Sequence, residues 1–231
     1  MNSFNSIANT EVGSGALSRN TVLRNTYWLL ALSLVPTVIG ALAGIAFDLR
    51  SMMVGSPFIA FGIFMAVSFG FFFAIEKFKH SATGIALLLA FTFFMGLWLS
   101  MLISRTLGFS NGPQLIMTAF GGTALIFGVM ATIATVSKRD FSGIGKWAFV
   151  GMLVIIVAAV ANIWLKMPAL SLTISVLAIM IFSAYMLYDV QRVVNGGETN
   201  YISATLAIYL DVYNVFTSLL QLLGIFGGDK D

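Results

Sequence analysis

Seven runs of about twenty apolar residues, nearly all free of charge, decide what this chain can fold into. A helix rises 1.5 Å per residue, so each run is long enough to cross roughly 30 Å of hydrocarbon. In order they cover about 27–47, 57–75, 82–104, 113–136, 147–165, 169–190 and 201–226. Backbone groups in lipid must be paired within their own segment or in a closed barrel. The alternating pattern of barrel strands is absent, so the runs read as helices. Composition decides one further point. Only 9% of residues are charged, against about 25% in a soluble domain, too few to cover the molecule in water. The expected fold is an all-α integral membrane protein, one seven-transmembrane-helix bundle over residues 25–228 with the lipid bilayer around it.

Several chemistries are excluded at once. The chain has no cysteine, so disulfides, thiolate zinc sites and cysteine nucleophiles are ruled out. Its single histidine, His80, cannot build a His-rich metal centre. No P-loop, GxSxG or HExxH pattern occurs. The net charge of +3 is spread over loops, which fits basic membrane flanks and not a nucleic-acid binder. No resident cofactor and no enzymatic activity are expected.

Residues 1–24 are polar, with Arg19 and Arg24 just before the first run. A secretory signal has a short basic start and an apolar stretch of roughly 7–15 residues. Here a long polar segment precedes a full-length span, so the reading is a mobile tail followed by a retained helix. Lys and Arg near helix ends set orientation. Arg19, Arg24, Lys77, Lys79, Lys138, Arg139, Lys146 and Arg192 fall on one side, eight in all. Arg50, Arg105, Lys166 and Lys230 fall on the other, four in all. The excess predicts a cytoplasmic N-terminus and an outside C-terminus.

Small residues within spans allow close helix contact in lipid, and Gly40, Gly44, Gly121 and Gly122 read as packing positions. Trp28, Trp98, Trp147 and Trp164 lie towards run ends and read as an interfacial belt.

The exception to charge-free spans is the stretch Tyr185–Gln221, where two runs meet at a short polar hinge and each carries one aspartate, Asp189 and Asp211. A carboxylate at such a place is costly unless paired, protonated or wetted, so it reads as functional by default. The plainer alternative is that each Asp only orients its own helix. On the last run Ala204, Ala207, Asp211, Asn214, Ser218 and Gln221 recur every three or four residues, a stripe of small and polar groups. On the sixth, Ser171, Ser175, Ala178, Phe182, Tyr185, Asp189 and Arg192 share a face. The hinge is short, so the two helices are antiparallel neighbours, and Asn200 is placed to cap the last one.

Counting from the hinge puts the two carboxylates at depths of roughly 8 and 15 Å, an offset that leaves direct contact open. If they meet, they share a proton and titrate as a pair. Releasing that proton would separate the helices or admit a cation. Asp189, Asp211 and Asn214 then form a pH-sensing or ion-pathway site whose hard oxygens suit a transient, weakly held Ca2+. The competing local reading pairs Asp189 with Arg192, one turn on. An intramembrane aspartyl protease is the third option. A YD pair is present at Tyr188–Asp189, but the GxGD expected beside it is not.

At these residues the sequence resembles the Bax inhibitor-1 family. The matching words are LYDVQ at Leu187–Gln191 and YLDVYNVF at Tyr209–Phe216, followed by SLLQLLG. LRNTY at Leu23–Tyr27, FGGTA at Phe120–Ala124, NIWLKMPAL at Asn162–Leu170 and GGETNYI at Gly196–Ile202 are closer to its bacterial YccA-like branch. The resemblance implies a bundle with the last helix central and wrapped by the others. It implies that Asp189 and Asp211 match a two-aspartate pH sensor in a calcium-leak pathway. It also implies a multi-pass protein of the bacterial inner membrane that binds and restrains an FtsH-type AAA+ membrane protease, with the N-terminal tail as the handle. Some family members carry an arginine at the cytoplasmic end of the second helix, paired with the aspartates. Here that end reads Ile75-Glu-Lys-Phe-Lys-His80. Lys77 or Lys79 would have to substitute, without the planar fork of arginine, and Glu76 would be a third carboxylate or a flanking surface charge.

Overall fold

The computed structural model describes residues 2–55 and 57–228, with side chains for 19–51, 55 and 58–228. The helices are α1 (Asn2–Ala46), α2 (Leu49–Val54), α3 (Pro57–Phe78), α4 (Ala82–Leu107), α5 (Gly112–Val136), α6 (Ser142–Leu165), α7 (Pro168–Val194) and α8 (Tyr201–Gly227). No strand occurs among the described residues. Seven helices are long and apolar enough to cross a membrane: all but the short α2, with the spanning part of α1 starting at Arg19. The seven expected spans are thus present, most of them extended by a few residues at one end. The polar stretch read as a tail is helical in its backbone and continuous with the first span. It holds no proline, and a helix already nucleated by the span extends at little cost. Lys230, counted in the outside charge, lies outside the described residues.

The last helix is central. α8 touches α1, α3, α4, α5 and α7, while α6 packs chiefly on α7 at the edge of the bundle. Burial follows that order. Ile202, Ala204, Ile208, Tyr209, Asp211, Val215 and Leu220 of α8 are all buried. On α6 only Ala148 and Ile155 are buried, and Val150, Val154 and Val157 present apolar surface outward. In lipid an exposed apolar side chain is the solvated state, so such a surface costs nothing there.

With no water to drive association inside the bilayer, close packing and interhelical hydrogen bonds hold the bundle. The tightest seam is α1 against α4. A Cβ at Gly40 would overlap the Phe93 carbonyl, one at Gly44 the Ser100 side chain, and one at Gly96 the Thr37 carbonyl. Gly122 packs on Leu219 of α8, but Gly121 faces open space and is no packing position. Polar contacts tie α8 in, including Asn111 Nδ2 donating to the Gly227 carbonyl at its end and three along its length. Tyr209 Oη and Thr37 Oγ1 are 2.8 Å apart. Tyr213 Oη donates to the Met95 carbonyl at 3.2 Å. Thr205 Oγ1 lies 3.3 Å from the Thr26 carbonyl. Trp28, Trp147 and Trp164 are exposed, as an interfacial belt requires, whereas Trp98 stacks on Phe64 with centroids 4.8 Å apart.

Candidate functional site: a carboxyl pair under a polar cleft

The α7–α8 hinge is built by its own sequence. Gly196 sits at φ +77, a left-handed conformation that favours glycine. Its neighbours turn back on α7, with Gly197 N donating to the Arg192 carbonyl at 2.8 Å. Asn200 then starts α8. Its Oδ1 accepts from the Ile202 and Ser203 amides at 2.9 and 3.0 Å, the expected cap. Its Nδ2 donates to the Lys79 carbonyl at 2.8 Å, so one side chain ties the hinge to the end of α3.

This end of the bundle holds a cleft of about 440 Å3. Its polar lining is Glu76 from α3, Lys79 from the turn that follows it, Asp189 and Arg192 from α7, Glu198 from the hinge and Ser203 from α8. Lys79 pairs with Glu76, and Arg192 Nη2 lies 3.4 Å from Glu198 Oε2. Glu198 Oε1 also accepts from the Asn200 amide at 2.9 Å. Arg192 therefore leans to the hinge and not back onto Asp189, though it still acts on Asp189 through space. Among the described residues no cation lies in ion-pair contact with either aspartate. Lys77 points away, its ammonium 5.6 Å from the Phe78 ring centroid, and it does not line the cleft.

Beneath the cleft the two carboxyl groups lie side by side. The depth count assumed a level hinge and parallel axes, and this closeness means that at least one of these fails. Asp189 is half-buried at the cleft, and Asp211 is 4% exposed beneath it. Asp211 Oδ2 is buried without a hydrogen-bond partner. A buried carboxyl oxygen left without a partner is expensive, and a proton or a cation is what relieves such a cost. Tyr185, one turn earlier on α7, lies within electrostatic reach of both carboxyls. Asn214 is not brought to the pair's cleft; its amide donates to the Leu210 carbonyl at 2.7 Å on its own helix.

As a metal site the pair is thin. Among the described residues no three His, Cys, Asp or Glu side chains converge, and calcium takes six to eight oxygens. The donors are of the hard type that calcium takes, and two carboxyl groups fall short of that number. The stripe on α8 runs onward from Ala204 and Ala207 in this cleft, past Asp211, to Gln221 in a second cleft of about 280 Å3 at the other end.

Sequence reasoning gave no role to Gln191, which is 3% exposed. Its Oε1 accepts from the Phe141 amide at 2.8 Å and its Nε2 donates to the Arg139 carbonyl at 2.6 Å. It clamps the α5–α6 loop two residues from Asp189. A glutamine at the end of an apolar span hints at a buried polar partner, but nothing in the sequence names that partner.

Fold and site together define a multi-pass helical membrane protein, built round its last span, with a carboxyl pair beneath a polar cleft at one end. The family model described as inhibitor of apoptosis-promoting Bax1 matches residues 19–228, and the chain belongs to the Bax inhibitor-1 family. Relatives of similar length occur in bacteria. A membrane protein of Vibrio cholerae is 37% identical over 92% of this chain and 93% of its own length. The Escherichia coli K12 protein named modulator of FtsH protease YccA is 37% identical over 92% of this chain and 94% of its own. The protein named inner membrane protein YccA in a second Escherichia coli strain matches to the same extent.

Proposed function

We propose that this chain is an inner-membrane modulator of an FtsH-type AAA+ protease and acts by binding. The observation that carries this is the 37% identity to the Escherichia coli protein of that name, over nearly the full length of both chains. The family and relative names point to a regulator and not to an enzyme. The orientation that suits the role places the N-terminus and the acid cleft in the cytoplasm, as the Lys and Arg distribution favours. The start of the first span and the cleft share one end of the bundle, since the Arg19 stem packs over Gly196 of the hinge. Deleting residues 2–18, which leaves Arg19 in place, abolishes the effect on degradation of FtsH substrates in cells. Unchanged degradation with normal membrane levels of the truncated protein refutes the proposal.

A second reading has its own support. The adjacent Asp189 and Asp211 carboxyls, with the polar α8 stripe reaching a cleft at each end, suit a pH-sensitive calcium leak. Calcium flux into proteoliposomes then responds to pH, and Asp211→Asn removes the response. A flux that ignores pH and survives that substitution sinks this reading and leaves the protease proposal standing.

A further inference from the structure

The cleft at the far end differs in chemistry from the acid cleft. It lies where α4, α6 and α8 end and α7 begins, at the level of a membrane interface. Two cations line it, Arg105 in the last turn of α4 and Lys166 at the end of α6, and no carboxylate does. Among the described residues neither makes an ion pair. A basic residue at a helix C-terminus is favourable by itself, but that does not explain why two helices deliver theirs to one cavity. The turn that presents Lys166 is locked. Lys166 takes φ 51, Asn162 Oδ1 accepts from the Met167 amide at 3.0 Å, and Asn162 Nδ2 donates to Ser171 Oγ at 2.7 Å. Gln221, also in the lining, makes no hydrogen bond among the described residues and leaves its amide available.

Most of the remaining wall is apolar, with Leu102, Phe109 and Leu220 prominent beside Thr106. A cationic rim over an apolar wall fits an amphipathic anion better than a free one. Arginine engages phosphate oxygens through its fork, while lysine acts as a point charge.

We propose that this cleft binds the phosphodiester headgroup of a net-anionic phospholipid between Arg105 and Lys166, with an acyl chain along the apolar wall. Basic pockets between transmembrane helices hold acidic headgroups on the cytoplasmic side of membranes, and the same chemistry is offered here at the opposite end. The bound lipid bridges the ends of α4, α6 and α8 and makes this end of the central helix sensitive to lipid composition.

The test is native mass spectrometry of the full chain from mixed micelles containing phosphatidylglycerol and phosphatidylcholine. The wild type retains phosphatidylglycerol over phosphatidylcholine by at least about tenfold, as expected of two interfacial cations. The double variant R105Q/K166Q loses that preference, and the charge-keeping R105K/K166R retains it. Arg50→Gln, which alters a cation at the same end outside the cleft, changes nothing. Equal retention by R105Q/K166Q, or an equal loss from Arg50→Gln, overturns the proposal. Inorganic phosphate that raises the melting temperature of the wild type but not of R105Q/K166Q, with no phosphatidylglycerol retained, also overturns it in favour of a free anion.

Discussion

Replacing Gln191 by alanine should open the α5–α6 loop while leaving the bundle intact. The side chain supplies two hydrogen bonds to main-chain atoms of residues 139 and 141. Each such bond contributes about 0.5–1.5 kcal/mol net, so the pair holds the loop by roughly 1–3 kcal/mol. Arg139 is exposed and Phe141 half-buried, so water satisfies part of what is lost. The lower half of that range is therefore expected, with an opening constant that rises about tenfold. The loop carries its own reporter, because trypsin cuts after Lys138 and Arg139. Where reclosing outpaces cleavage, the cutting rate follows the open population. Limited proteolysis of the purified protein should be about tenfold faster at these sites in Gln191→Ala. Gln191→Met keeps most of the volume and neither hydrogen bond, and should behave like alanine. Rates within twofold of wild type, or protection restored by methionine, would show that packing and not hydrogen bonding holds the loop.

Gly96→Ala should lower stability by about 3 kcal/mol, since the new Cβ meets the Thr37 carbonyl. Gly121→Ala, in open space, should be neutral or stabilising by up to about 1 kcal/mol; unfolding in detergent reads both, and matching signs would contradict the packing. Tyr209→Phe should cost about 0.6 kcal/mol, typical of an interhelical hydrogen bond in a membrane protein. A double-mutant cycle with Thr37→Val should show positive coupling, and additivity would refute the contact. Asp140, in the α5–α6 loop, accepts from the Ser142 amide and hydroxyl at 2.8 and 2.9 Å, which holds its carboxyl below its ordinary value. Its stabilisation is complete above the unfolded value of about 3.9 and fades as pH falls through the native one. Asp140→Asn should flatten that acid limb of the stability curve, and an identical limb would exclude the role.

The spans and the suspicion attached to Asp189 and Asp211 were legible because lipid imposes length and penalises charge along the chain itself. The Asn200 cap was legible because its partners lie two and three residues on. The clamp by Gln191 was not, because its partners are main-chain atoms some fifty residues away and carry no side-chain signature. Lys77 and Lys79 look alike in the sequence. Lys77 lies in the last turn of α3 and Lys79 in the turn that follows it, so Lys79 reaches the cleft and Lys77 does not. Gly121 and Gly122 repeat that lesson, with one packed on α8 and its neighbour open.

The span that the others surround follows all of them in the chain. Until α8 leaves the ribosome, the hydroxyl of Thr37 and the carbonyl of Met95 lack the tyrosines that meet them in the finished protein. A growing chain therefore carries an unfilled polar seam through the insertion of the six earlier spans. Biogenesis must shelter six spans around a missing axis, and a chain that stops before residue 201 is an unfinished bundle open to quality control.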